Sequence, residues 1–201
     1  PSQSTAMFPP APFLGMSFPL AMRMFVDDGR NFLLVGSQQW DVITADAIWP
    51  THAGSTNLYS VDYYRLARRS LNDGGARLQW VYRDLPDEQH TLLMRTLLEA
   101  FPHVSLWFGG SLLIGSERPI DPTMPWGERK FNWPLSKAAL QQVNVRYPED
   151  VRKLYLADRA ELERHVGPGP IIMDDQPRLE YFLGLSSNSG PRRNPNRGLH
   201  E

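Results

Sequence analysis

Trp40-Asp41-Val42-Ile43-Thr44-Ala45-Asp46 is the stretch whose reading decides the fold. Val42, Ile43 and Thr44 are all β-branched and suit a pleated, packed surface, so residues 41–45 are expected to form a short buried strand. Asp46 arrives where that strand stops. In open α/β sheets ligands bind in the crevice beyond the carboxyl ends of the strands, so a carboxylate placed there faces a pocket rather than the core. Asp46 is therefore the first candidate for chemistry.

Working outward, the elements alternate. Asp27-Asp28-Gly29-Arg30 is a turn signal, and Asp28 suits the N-cap of a helix over residues 31–37, which Gly36-Ser37 would end. Beyond the strand, residues 47–58 form a polar loop. Ser60 is the N-cap of the next helix, with Asp62 in its first turn. Tyr63, Leu66, Ala67 and Leu71 follow at helical spacing, and Asn72-Asp73-Gly74-Gly75 stops them. Residues 76–81 return as a strand with Leu78 and Trp80 on one face. Pro86 opens a helix whose stripe is Leu92, Leu93, Leu97 and Ala100, and Pro102 closes it. Strands over residues 104–108 and 111–114 are joined by Gly109-Gly110, a hairpin signal. Alternating β and α elements favour a parallel sheet with helices on its faces, and the closing hairpin adds an antiparallel strand.

Residues 117–133 are irregular and rich in Pro and Trp. Residues 135–166 read as two or three short solvated helices, and residues 171–183 as a last ordered segment docking on the domain. From Ser186 onward the composition is that of a disordered tail. The expected division is an apolar arm over 1–27, a half Rossmann-like domain over 28–120, a helical extension over 121–185 and the tail over 186–201.

Composition narrows the function classes. The chain has no cysteine, which excludes disulfides, thiolate zinc sites and a cysteine nucleophile. A net charge of -1 gives no overall pull toward nucleic acid, and Arg192, Arg193 and Arg197 make only a weak basic tail. The histidines His52, His90, His103, His165 and His200 lack ligand spacing, so no metal site is expected. Asp174-Asp175, ahead of Gln176-Pro177, reads as a turn rather than a metal pair. Residues 6–25 are apolar, yet Pro9, Pro10, Pro12 and Pro19 interrupt them as a membrane span, and no basic run marks a secretory signal. Any membrane contact is expected to run through that arm alone.

The order of elements is that of the second half of a class I methyltransferase-like sheet. Within that class the ordered words are more specific: Asp28-Gly29-Arg30-Asn31-Phe32-Leu33, Trp40 to Asp46, Leu58-Tyr59-Ser60 with Tyr63-Tyr64, Asp73-Gly74-Gly75 with Gln79-Trp80, Phe101-Pro102-His103, and Asp174-Asp175-Gln176-Pro177. Together, over residues 28–183, they resemble the spermidine synthase (polyamine aminopropyltransferase) family. The branch they look most like is the bacterial one in which the domain follows a transmembrane region; Gly15-Met16-Ser17-Phe18-Pro19-Leu20 resembles part of its last membrane segment. That resemblance implies a cytoplasmic domain at the inner face of the membrane.

It also implies the reaction. An aminopropyl group moves from decarboxylated S-adenosylmethionine, a co-substrate rather than a permanently bound cofactor, to a diamine. Asp46 takes the place of the general base. Asp28, with Gly29, matches the position that accepts from the adenine amino group, although Asp28 also suits a plain N-cap. Tyr59 falls near the loop over the nucleoside, where ordinary packing at the helix start is the alternative. Gln79 matches a polar position near the amine, where a surface amide on an edge strand is the alternative.

Family synthases usually carry a second acid three residues after the base, in an Asp-x-x-Asp-Pro arrangement, which the fused branch often lacks. Here the run is Asp46-Ala47-Ile48-Trp49-Pro50, so Trp49 stands in that place, and its ring face can attract a cation. No glycine-rich run precedes residue 28, which leads to the expectation of a truncated sheet and impaired activity. A methyltransferase acting on another amine and a non-catalytic remnant are the competing readings. In the remnant, the Asp46 strand would lie at a sheet edge open to self-association.

Overall fold

The computed structural model describes residues 29–46, 49–50, 52, 55–122, 134–142, 145–176 and 178–179. The arm before residue 29 with Asp28, the tail, and most of the Pro- and Trp-rich stretch lie outside the described residues. The chain divides into two units, residues 1–36 and 37–201. In the first, helix α1 spans Gly29–Val35, beginning two residues before the predicted start. Only Leu33 is buried in it. The Gly36 N–H donates to the Phe32 carbonyl at 3.0 Å and ends the helix as expected.

The second unit follows the expected order. It runs β1 (Trp40–Ala45), α2 (Val61–Arg69), β2 (Leu71–Trp80), α3 (Asp87–Ala100), β3 (His103–Trp107), β4 (Leu112–Ser116), α4 (Pro134–Gln142), α5 (Pro148–Arg152), β5 (Tyr155–Ala157) and α6 (Arg159–Val166). The sheet order is β1-β2-β4-β3-β5. β1 and β2 are parallel. β4 is antiparallel to both β2 and β3, so β1, β2 and β3 all run the same way, with β4 returning between the last two. This mixed α/β sheet is of the Rossmann-like, methyltransferase type. β5, antiparallel on the outer side of β3, is an addition the sequence did not suggest; three residues are too few for a periodic signal.

Local chemistry sets the helices. The Ser60 hydroxyl accepts from the Tyr63 N–H at 3.1 Å, and Asp62 and Arg68–Arg69 sit at the ends of α2 where the helix dipole favours each sign. α3 has no basic residue in its last turn and borrows cations instead. Arg68 of α2 donates to the Ala100 carbonyl, and Arg159 of α6 donates to those of Leu98 and Phe101. The predicted stripe Leu92, Leu93, Leu97 and Ala100 is buried. Ile172 closes the core as expected for the docking segment. Its N–H donates to Thr96 Oγ1 at 3.1 Å, and its carbonyl accepts from the Val61 N–H at 2.9 Å.

Register separates the two faces of the sheet. Gln79, Leu113, Leu106 and Ala157 stand side by side on the face packed by helices, as do Arg77, Gly115 and Val104. Gly115 is needed there, because a Cβ would lie 2.6 Å from the Phe101 ring. The opposite face carries Thr44, Leu78 and Ile114, which are exposed or half-buried.

Three expectations need correction. β1 is not a buried strand: Val42 is 55% exposed, because among the described residues only β2 flanks it. Asn72 to Gly75 does not separate helix from strand but bulges within β2, between the pairs Trp40–Leu71 and Val42–Ala76. Gly74 takes φ +78° there, and a Cβ at Gly75 would meet the Trp40 carbonyl oxygen at 3.0 Å. Finally, β2 is an interior strand, so Gln79 is no edge amide.

Candidate functional site

Because β1, β2 and β3 are parallel, their carboxyl ends share one edge of the sheet. Asp46 follows directly after Ala45, whose register partner is Gln79. Asp46 is exposed and Gln79 is 1% exposed. The strand pairing thus sets Gln79 opposite Ala45, with Gln79 in the core and Asp46, one residue further, at the surface.

Gln79 is held by a group the sequence reading overlooked. Arg77, two residues earlier on the same face, is fully buried, and no carboxylate pairs with it among the described residues. Its charge is instead offset by the ring faces of Tyr63 and Tyr64, at 5.2 and 5.9 Å. Arg77 donates to the Leu78 carbonyl at 3.0 Å and to Gln79 Oε1 at 2.9 Å. A guanidinium can only donate, so it fixes which end of the amide faces it. Gln79 Nε2 is left to donate to the Trp80 carbonyl at 3.0 Å. Among the described residues, Arg77 Nε and the Tyr64 hydroxyl are buried without a hydrogen-bond partner. Burial pushes the Tyr64 phenol well above its ordinary range, against the pull of the Arg77 charge. The signal in the sequence was a charged residue at i−2 from Gln79, which alternation places on the same face.

The loop after β1 is fastened from within. The Trp49 carbonyl accepts from the Ser55 hydroxyl at 3.0 Å and from the His52 N–H at 3.1 Å. The same hydroxyl also donates to the His52 carbonyl at 2.7 Å. Ser55 and Thr56 are buried polar groups that serve this turn. Tyr59 is 1% exposed, and its N–H donates to the Thr56 carbonyl at 2.9 Å, so its ring belongs to the core at the start of α2. Trp49 is half-buried, and its ring stands 4.7 Å from that of Tyr82, tilted by 53°. Tyr82 lies just past the end of β2. Loops from two adjacent parallel strands therefore meet through an aromatic pair, which sequence spacing alone did not reveal.

The turn after β3 reaches the same edge. Phe108, Gly109 and Gly110 take φ of 54°, 61° and 96° in succession. Left-handed backbone at Phe108 costs on the order of 1–3 kcal/mol and needs tethers. The Phe108 N–H donates to the Leu154 carbonyl at 2.8 Å, Ser111 Oγ donates to the Phe108 carbonyl at 2.8 Å, and His90 Nε2 lies 3.0 Å from the Gly110 carbonyl. His90 is buried, and desolvation lowers its basicity more than the Gly110 bond restores it. The Phe108 ring, 42% exposed, stands 5.6 Å from Trp80.

Gly29 opens α1 in the first unit, with open space around the position a Cβ would take. Among the described residues no group of three His, Asp or Glu could hold a metal ion, and no helix is long and apolar enough to cross a membrane.

No family model matches the chain. It is similar to the polyamine aminopropyltransferase of Aeropyrum pernix, 34% identical over 153 residues, covering 69% of this chain and 47% of the relative. It is also similar to the polyamine aminopropyltransferase of Pectobacterium atrosepticum, 28% identical over 127 residues, covering 61% of this chain and 39% of the relative. Polyamine aminopropyltransferase 1 of Pseudomonas aeruginosa is 35% identical over 54 residues, or 27% of this chain and 18% of that relative. The chain spans about half, or less, of the length of these curated relatives. The shared naming supports the spermidine synthase family.

Proposed function

We propose that this chain carries the amine-side half of an aminopropyltransferase site, with Asp46 as the base. The observation that supports it most is the position of Asp46, exposed directly after β1 at the carboxyl edge that β1 and β2 share. The similarity to proteins named polyamine aminopropyltransferase agrees with that placement.

The chemistry asks little of the protein beyond placement and charge. The sulfonium of decarboxylated S-adenosylmethionine makes the adjoining carbon electrophilic. An uncharged amine nitrogen forms a bond to that carbon as the carbon–sulfur bond breaks, and methylthioadenosine leaves as a neutral thioether. The proton shed by the new ammonium passes to the Asp46 carboxylate and then to solvent. The same carboxylate offsets the positive charge that gathers when two cations are brought together. Gln79 is proposed on the amine side by resemblance; its amide is held within the core by Arg77 and the Trp80 carbonyl. Asp28 with Gly29 is proposed by resemblance to accept from the adenine amino group; the Tyr59 ring packs in the core at the start of α2. Placement in the cytoplasm, at the membrane face through residues 6–25, belongs to the same proposal.

The test supplies the chain with decarboxylated S-adenosylmethionine or S-adenosylmethionine and a panel of amines, with products read by mass. Aminopropylated amine is expected. Asp46→Asn should lower its formation by roughly 10²–10⁴-fold while methylthioadenosine still binds. Methylated product would favour the methyltransferase reading, for which Trp49 in place of a second acid is the motive. Absence of heat on titrating methylthioadenosine would sink the nucleoside site.

A further inference from the structure

We propose that Asp73–Gly74 is a self-modification site of the folded chain, where the Asp73 side chain condenses with the Gly74 amide nitrogen and the main chain is rerouted through an isoaspartyl linkage. The bulge that interrupts β2 is what leaves this pair open to the reaction.

The strand pairing lapses at this point. Between the pairs Trp40–Leu71 and Val42–Ala76, β1 has only Asp41, while β2 has Asn72, Asp73, Gly74 and Gly75, so no ladder pair fixes Gly74. Gly74 is also unobstructed. It is exposed, its φ is +78°, and no atom lies within 4 Å of the place a Cβ would take. Without a side chain, nothing of its own shields its amide nitrogen from the preceding carboxyl, and its backbone turns at little steric cost. Asp73 supplies that carboxyl. Its side chain is 78% exposed, and among the described residues its one ion pair is with Arg118, itself 68% exposed. A surface pair of this kind is a weak restraint, so the carboxyl is free to swing toward the main chain. Gly75, the next residue, is packed instead: a Cβ there would meet the carbonyl oxygens of Asn72 and Trp40 at 3.0 Å. The opening belongs to Asp73 and Gly74.

The reaction needs only water. The Gly74 nitrogen attacks Cγ of the protonated Asp73 carboxyl. A carbon–nitrogen bond forms, the bond from Cγ to the hydroxyl oxygen breaks, and one water leaves with the amide proton, closing a succinimide ring. Water then adds back at either ring carbonyl. Opening at the side-chain carbonyl restores aspartate. Opening at the main-chain carbonyl leaves the chain running through Cγ, with the α-carboxylate now free. Nothing is oxidised or reduced, and the charge of the residue is unchanged. The rerouted chain carries one more main-chain atom. The bulge has no ladder pair there to lose, so the pairing from Val42–Ala76 onward continues.

The experiment ages the 201-residue chain in mildly acidic buffer, well below its melting temperature. Samples are digested with trypsin, and the peptide over residues 70–77, released by cleavage after Arg69 and Arg77, is followed by mass and by elution. A synthetic peptide of the same residues, aged alongside, is the unstructured reference. Two products should appear: one lighter by a water, and one of unchanged mass with a shifted elution and an isoaspartyl fragmentation pattern at Asp73. The folded chain should form them at a rate within about fivefold of the peptide, because a segment that opens at almost no cost reacts as an unfolded one does. A slower rate overturns the proposal, since the bulge would then protect this pair as a ladder does. Asp73→Glu keeps the charge but requires a larger ring, and should lose both products; their persistence would place the modification elsewhere and overturn the proposal. The aged chain is also separated by size before digestion. The modified peptide should come from the folded fraction, and its confinement to unfolded or aggregated material would overturn the proposal as well.

Discussion

β1 and β3 run in the same direction and finish at the same edge of the sheet, yet one is open and the other enclosed. Val42 of β1 is 55% exposed, whereas Val104 and Leu106 of β3 are 3% and 0% exposed. Propensity does not explain the difference, since β1 is the more β-branched of the two. Neighbours do. β3 lies between β4 and β5 and under α3 and α6, while among the described residues β1 has β2 alone. The ends differ in the same sense. β3 runs into a strained turn tied at three points, and β1 into a carboxylate at the surface. The tethers gather at the end of an interior strand, and the exposed carboxylate follows the strand with a single described neighbour.

The sharpest way to break this comparison is to truncate a side chain on each strand. Leu106→Ala should cost about 2–5 kcal/mol in urea denaturation, because it leaves a cavity in a closed layer. Val42→Ala should stay within about 0.5 kcal/mol, since its side chain already meets water. Equal losses would show that β1 is as deeply invested as β3.

A smaller effect tests β2, the interior strand that pairs with β1. Arg77→Met removes a buried charge, but it leaves the Gln79 Oε1 atom without its donor, at a cost of about 1–3 kcal/mol. The double variant Arg77→Met with Gln79→Leu removes both polar groups. It should recover stability relative to the single change, a coupling read from a double-mutant cycle. Simple addition of the two losses would mean that the pair is not the unit described.

The smallest effect concerns the tether at the end of β3. Burial holds the His90 imidazole below its ordinary pKa, so the unfolded chain takes up its proton first as pH falls. Stability from His90 is complete above about pH 6.5 and is lost as pH drops from there through the lowered folded value. His90→Gln keeps a donor for the Gly110 carbonyl and cannot titrate. The difference in unfolding free energy between about pH 7.5 and pH 5 should be larger for the parent than for this variant. Identical differences would remove His90 from the account.

The alternation of elements was legible in the sequence because caps and stripes are local: Ser60, the Gly36 stop and the leucines of α3 each act within a few residues. The hairpin at Gly109-Gly110 was legible for the same reason. What could not be read depends on pairing. Nothing near Val42 says how many strands flank it, and nothing in residues 76–81 says that Arg77 and Gln79, rather than Leu78 and Trp80, face the helices. The site divided along the same line. Asp46 was visible as the end of a strand, and Trp49 as a departure from an expected acid. Tyr82 became its neighbour only when β1 and β2 paired in parallel, and Arg77 became the clamp on Gln79 only when its face was closed by Tyr63 and Tyr64.

The link between Ile172 and the rest of the core has a consequence for how the chain matures. Thr96 and Ile172 are 76 residues apart, and the carbonyl of Ile172 also satisfies the first N–H of α2. As the polypeptide leaves the ribosome, that donor stays with water until the distant segment has been synthesised, so the packing of α2 against α3 is completed late and from the far end of the chain.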